Sequence, residues 1–340
     1  QEYIKCAQDP VYFMKKYCMI QHPTRGRIMF NLYPFQEGVL KLLNTNERSI
    51  ILKSRQLGIS TLSAGMALWQ MIFQKDTNVL VIATKQDTAK NLVTKVKFMY
   101  ENLPSWLKIG FEENNKLALR LKNGSQVKAV SATSDAGRSE AISLLIIDEA
   151  AFIEQNRIEE IWGASQQTLS TGGKAIVLST PNGTGNFFHK MWIKGEEGIN
   201  GFTCIRLPWT VHPERDEEWR TQQEDELGSR MAAQECDCDF TTSGNTVFEP
   251  ELINFVEKTT IIDPLEKRGI DGSLHIWEYP DYTRNYMVVA DVARGDSKDY
   301  SAFHIIDIEE SKQIGEFKNK IATKEFGHML VAIATEYNNA

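Results

Sequence analysis

Residues 50–69, I-I-L-K-S-R-Q-L-G-I-S-T-L-S-A-G-M-A-L-W, constrain this chain more than any other stretch. They read as a short apolar strand (residues 49–52), a tight polar loop closed by Gly58, and a helix opening at Ser60 with Leu62, Met66 and Trp69 at helical spacing. Strand, loop and helix in this order suit a phosphate-binding loop, because the loop's backbone N–H groups and the helix N-terminus converge on an anion. The usual pattern is G-x-x-x-x-G-K-[ST]. Here Lys53 and Gly58 stand at the ends of that frame, with Ser54, Arg55, Gln56 and Leu57 between them and Ile59, Ser60 and Thr61 after. Ile59 occupies the customary lysine position. In a phosphate-binding reading the cation has moved to the front of the loop, so that Lys53 or Arg55 reaches the β- and γ-phosphates while Ser60 ligates Mg²⁺. The alternative is a plain strand-to-helix turn with solvated basic residues.

The remaining sequence decides between them. The 340 residues suggest roughly two domains, and 42% hydrophobic with 24% charged residues is enough apolar material for real cores. No apolar run reaches the ~18 residues of a membrane span, and the first residues lack a signal-peptide layout, so a soluble, non-exported protein is expected. Five cysteines, scattered and odd in number, fit a reducing compartment. Cys236 and Cys238 are too close for a usual zinc pair and have no second pair to join them. The formal charge of -7 argues mildly against a chain coated in nucleic acid, but not against a local basic track. The missing initiator Met and the end at Ala340 suggest a fragment.

Residues 1–48 read as a helical lead-in. Gln36, just inside a helix that opens after Pro34, can donate to and accept from the edges of adenine, with Tyr33 or Phe35 stacking on the ring. After the loop helix, residues 77–84 are a buried-length strand, residues 86–101 a helix, and residues 116–121 and 126–132 a hairpin. A second apolar strand then ends in Asp148-Glu149, at the sheet edge where open parallel sheets bind ligands. Asp148 would hold Mg²⁺ and Glu149 would act as general base on the attacking water. A third strand ends in Ser179-Thr180-Pro181-Asn182-Gly183, whose hydroxyls can bond to the γ-phosphate or its water and so sense the nucleotide. Residues 212–240 turn strongly charged and read as two helices on a polar surface.

K-S-R-Q-L-G-I-S-T, L-L-I-I-D-E-A-A-F-I and L-S-T-P-N-G, with Y-P-F-Q upstream, resemble the ATPase motor of tailed-bacteriophage terminase large subunits. The resemblance extends through D-A-G-R-S-E (residues 135–140) and G-F-T-C-I-R-L-P-W and covers nearly the whole chain. It implies an α/β fold: a P-loop ATPase of the additional-strand type with a mainly parallel sheet, followed by part of a ribonuclease-H-like domain. It implies Gln36 as adenine reader, Arg55 as an arginine finger in cis and Arg138 as one acting on a neighbouring subunit. Asp148 and Glu149 match the Walker B pair, and Ser179, Thr180 and Pro181 match the element that couples hydrolysis to movement. Lys53 matches the family members that carry their lysine at the front of the loop.

The expected organisation is a motor domain over residues 1–245, with its core at about 30–205 and a lid-like subdomain from 1–30 and 206–240. A linker over 241–247 and a partial nuclease domain over 248–340 follow. In the latter, residues 286–308 read as a hairpin presenting Asp291 mid-sheet, where a ribonuclease-H-like enzyme bridges two divalent metals. Asp296 and Asp299 suit the turn for backbone reasons alone. The family's two later carboxylates lie beyond Ala340, so cleavage is expected to be absent in this chain. The implied activity is ATP-driven movement of double-stranded DNA into a procapsid. The implied partners are a portal protein, a small terminase subunit and a ring of identical subunits, with no membrane, in the cytoplasm of the bacterial host. A helicase or remodelling translocase, and a nucleotide-binding assembly protein without hydrolysis, are the alternatives.

Overall fold

The computed structural model describes residues 1–132, 141–169, 172–241, 262–269, 271–294 and 299–340. The chain divides into two compact units, Gln1–Pro250 and Glu251–Ala340.

The first unit begins with helices α1 (Glu2–Gln8) and α2 (Pro10–Tyr17), a hairpin of β1 (Met19–His22) and β2 (Gly26–Met29), and helix α3 (Pro34–Thr45). The hairpin corrects the helical reading of residues 1–48. Its strands are four residues each and mostly half-exposed, too short and too wet for an alternating pattern to register. The core strands follow: β3 (Arg48–Lys53), α4 (Ile59–Phe73), β4 (Asn78–Ala83), α5 (Gln86–Glu101), β5 (Phe111–Asn114), β6 (Ala118–Leu121), β7 (Gln126–Ser131), β8 (Leu144–Asp148), α6 (Gln155–Leu169), β9 (Lys174–Ser179), α7 (Phe187–Glu196) and β10 (Thr203–Leu207).

They build one eight-stranded sheet in the order β10-β3-β9-β8-β4-β7-β6-β5. Pairing is parallel from β10 through β7, and the hairpin β6–β7 and strand β5 extend it antiparallel. Both faces are covered, which explains why the central strands are continuous apolar runs. Ile51, Val81, Ile146 and Leu178 pack into one core with α2 to α5, while Ile50, Leu52, Ile82, Ile147 and Val177 pack into a second with α6 and α7. The register aligns the C-terminal ends: Leu207 lies beside Lys53, Leu52 beside Ser179, Leu178 beside Asp148 and Asp148 beside Ala83. Residues separated by over a hundred positions thereby meet at one sheet edge.

Beyond β10 come α8 (Glu217–Leu227), α9 (Ser229–Ala232) and a π-helical turn, Ala233–Asp237. Helix α8 buries none of its residues, as the charged sequence suggests, but Ala233, Gln234, Glu235 and Cys236 are buried. Residues 242–247 of the expected linker lie outside the described residues.

The second unit is a five-stranded sheet in the order β11 (Glu266–Arg268), β12 (Leu274–Ile276), β15 (Lys312–Asn319), β14 (Ser301–Asp307), β13 (Tyr286–Asp291), antiparallel throughout. Helix α10 (Thr323–Glu336) sets Phe326 and Ile333 against Phe303, Ile305 and Phe317. Among the described residues β13 pairs only with β14, so it forms an edge and not the middle of the sheet that the sequence suggested.

Candidate active site

The loop after β3 is shaped by two left-handed residues. Gln56 has φ 60° and Gly58 φ 73°. Switching handedness between neighbours turns successive N–H groups toward one side, which is the geometry of an anion-binding nest. Among the described residues, the backbone N–H groups from Gln56 to Thr61 have no hydrogen-bond partner, while Leu62 N–H already bonds to Gly58 O at 2.9 Å. Glycine is required at position 58: besides its φ, a Cβ there would sit 2.7 Å from Gln36 Nε2.

The front of the loop is held differently. Ser54 N–H donates to Leu207 O and Arg55 N–H to Glu235 O, both at 2.7 Å. Gln36 is buried, with Oε1 accepting from Tyr33 N–H at 3.0 Å and Nε2 donating to Leu57 O at 2.8 Å. Its amide thus braces the loop from the helix side. Tyr33 and Phe35 stack on each other at 5.8 Å, and His212 lies 4.7 Å from the Tyr33 ring.

Lys53, the last residue of β3, is buried, with Nζ 3.7 Å from Glu149 Oε1. Asp148 closes β8 and is also buried; its Oδ1 accepts from Glu149 N–H at 3.0 Å. Glu149 itself adopts φ 55°, a left-handed conformation that a side chain adopts at a cost and that recurs at functional sites. Burial raises its carboxyl pKa above the ordinary 4.5, with the Lys53 cation opposing the shift and the Asp148 and Glu235 carboxylates adding to it. A carboxylate poised in this way can accept a proton closer to neutral pH than a solvated one.

Ser179 Oγ accepts from Ala151 N–H at 3.1 Å, and Asn182 Nδ2 donates to Ala151 O at 3.1 Å. The strand end that carries Ser179 and Thr180 is therefore tied to the backbone just after Glu149. Thr180, Glu149, Arg55, Thr84, Thr88, Phe152 and Glu235 line a cavity of about 410 Å³.

Ser60, in the first turn of α4, and Asp148 supply one hydroxyl and one carboxylate. Such a set suits Mg²⁺, which prefers oxygen, retains water and commonly shares its shell with substrate phosphates. No group of three or more His, Cys, Asp or Glu side chains suited to a metal exists among the described residues. Asp291 is exposed at the end of β13, and a lone carboxylate does not fit two cations. Arg138 and Asp296 lie outside the described residues.

Three residues at this site escaped the sequence reading. Arg215 donates from Nη1 to Ser54 Oγ at 3.1 Å and from Nη2 to Arg55 O at 3.0 Å, with its guanidinium 4.3 Å from the Trp219 ring. Glu235 carries both a backbone and a side-chain contact to the loop. Lys95, on α5, has its pKa lowered by burial, with Asp148 opposing and Lys53 reinforcing the shift. None stands in a motif or at a telling spacing, so only the tertiary fold brings them in.

The covered parallel sheet and the nest at its C-terminal edge define a P-loop α/β protein. The family described as terminase large subunit, T4likevirus-type, N-terminal matches residues 50–255, and the chain belongs to that family. An ATPase-domain mutant of the Thermus phage P74-26 large terminase is similar at 24% identity and TM-score 0.51, over 62% of this chain and 95% of that one. The HK97 bacteriophage large terminase is similar at 13% identity and TM-score 0.56, over 98% and 71%. A thermophilic bacteriophage large terminase in complex with ADP matches at 10% identity and TM-score 0.51, over 90% and 74%. At these identities the three likenesses concern the fold.

Proposed function

We propose that this chain is the ATP-hydrolysing motor of a terminase large subunit, driving double-stranded viral DNA into a procapsid in the bacterial cytoplasm. The observation that carries the reading is the unpaired N–H run from Gln56 to Thr61 beside the buried Lys53 and Glu149. The N–H groups hold the phosphate chain, and Lys53 exchanges Glu149 for a γ-phosphate oxygen. Glu149, released from that cation, takes a proton from the attacking water, while Arg55 neutralises charge on the transferred group. Mg²⁺ held by Ser60 and Asp148 would supply further charge neutralisation at the phosphates. Ser179 and Thr180, tied to the segment after Glu149, convey the change at the phosphate to the rest of the unit.

The portal, the small subunit and a ring of identical copies are partners on the strength of the family alone. The nuclease reading of the second unit rests on Asp291 and assigns no cleavage step to this chain. A helicase-type translocase would need a second motor sheet, and the second unit is an antiparallel one.

Mg²⁺-dependent ATP hydrolysis, measured across protein concentrations for the parent, Lys53→Ala and Glu149→Ala, tests the reading. Loss of turnover in both variants is expected. Turnover that survives Lys53→Ala but not Glu149→Ala moves the phosphate role to Arg55. A parent that binds ATP and never hydrolyses it favours a nucleotide-binding assembly protein.

A further inference from the structure

We infer that Tyr300, Lys318 and Lys320 form a platform on the second unit for an unpaired nucleic-acid strand, with a base stacked on the tyrosine ring and the flanking phosphates held by the two ammonium groups. The inference is independent of the ATP reading, since it concerns the other sheet.

The register of the antiparallel sheet brings the three residues together. Ser301 of β14 pairs with Asn319 of β15, so Tyr300, one residue before β14, stands opposite Lys320, one residue past β15. Lys318 is the partner of Ala302. Side chains alternate between the two faces of a strand, and Phe303 and Phe317 belong to the face that α10 covers. Ala302 and Lys318 therefore lie on the other face, and so does Asp291, which pairs with Ala302 from the next strand. Asp291 and Lys318 are thus two strand spacings apart, about 10 Å.

The contacts at this corner suit a nucleic acid. Tyr300 is 47% exposed, and Nζ of Lys318 and Nζ of Lys320 stand 5.1 and 5.0 Å from its ring centroid. Two like charges gathered on one ring repel each other, and among the described residues neither pairs with a carboxylate. The carboxylate of Asp271 is taken up by Ser273 N–H at 3.2 Å and by the Asn319 amide. An ammonium group over an exposed ring is a weak contact, whereas a base presents a whole π-face to it. A strand arriving here would replace an ammonium on the ring by a base and give each lysine a phosphate oxygen, so both exchange for stronger partners. A duplex keeps its bases stacked on one another and can use only the lysines. The ring is therefore the element that separates unpaired from paired strands, on the same face as Asp291.

The test is fluorescence anisotropy of labelled oligo(dT) and of a blunt duplex of equal length, titrated with the whole chain in the absence of nucleotide. Tyr300→Ala should weaken oligo(dT) about 5- to 100-fold and the duplex by less than about twofold. Tyr300→Phe should stay within about twofold of the parent for both, because stacking uses the ring and not the hydroxyl. Lys318→Gln and Lys320→Gln should each reduce the slope of log affinity against log salt for oligo(dT) by about 0.7. Photocrosslinking in the unmodified protein needs no variant: an oligonucleotide carrying 5-iododeoxyuridine should mark the peptide that contains Tyr300. A parent that does not bind oligo(dT), an affinity unchanged by Tyr300→Ala, an equal loss for the duplex, or a crosslink confined to other peptides overturns the inference. None of these results touches the ATP reading, which turnover tests separately.

Discussion

Glu149 shows how one residue carries opposing demands. Its carboxyl is raised by burial, so the folded chain holds this proton more tightly than the unfolded chain between pH 4.5 and the raised value. Stability contributed by the group therefore falls as pH rises through that window. Glu149→Gln should leave the melting temperature at pH 7 unchanged or higher while reducing ATP turnover by at least ~10²-fold, readable by calorimetry and a phosphate-release assay. Carboxyl ¹³C titration of the nucleotide-free protein should place the midpoint above 4.5 and move it higher still in Lys53→Ala, because Lys53 opposes the shift. A midpoint unaffected by Lys53→Ala would separate the two residues. Gln36 carries the contrary lesson about legibility. Its amide chemistry is plain in the sequence, but its position against Leu57 O depends on how α3 meets the loop, which no local pattern reveals.

At the scale of elements, the strands and the loop were readable because both faces of the sheet are buried and its central strands are continuous apolar runs. The β1–β2 hairpin and the turn after α9 were not. The first is too short to show a period, and the second buries Glu235 within a run of acidic and cysteine residues that reads as surface. The link between β9 and the segment after Glu149 makes a sharp expectation. Ser179→Ala leaves the buried Ala151 N–H without its acceptor and should lower stability by about 1–3 kcal/mol in urea titration. Arg220→Ala should cost about 1–2 kcal/mol through the lost two-point contact to Asp237. It should also raise hydrogen exchange across residues 233–237 ahead of the rest of the unit. Unchanged protection there would mean the turn is held by its packing instead.

At the scale of the molecule, the division into Gln1–Pro250 and Glu251–Ala340 separates a mainly parallel eight-stranded sheet from an antiparallel five-stranded one. If the chain translocates duplex DNA, its binding should depend on salt more than on sequence. Anisotropy titrations should weaken ~10²-fold or more between 50 and 200 mM salt and differ little among duplexes of equal length. An affinity indifferent to salt would remove phosphate contacts from the proposal. The ring reading makes turnover per subunit rise with protein concentration. Strand β13 complicates that measurement in an informative way: it exposes Met287 and Val289 along an edge that has β14 as its one partner among the described residues. Such an edge invites strand addition between copies. Association of that kind would increase mass while leaving specific activity flat, whereas assembly through the motor would raise the two together. Light scattering and turnover recorded on the same samples therefore distinguish a machine from a precipitate in the making.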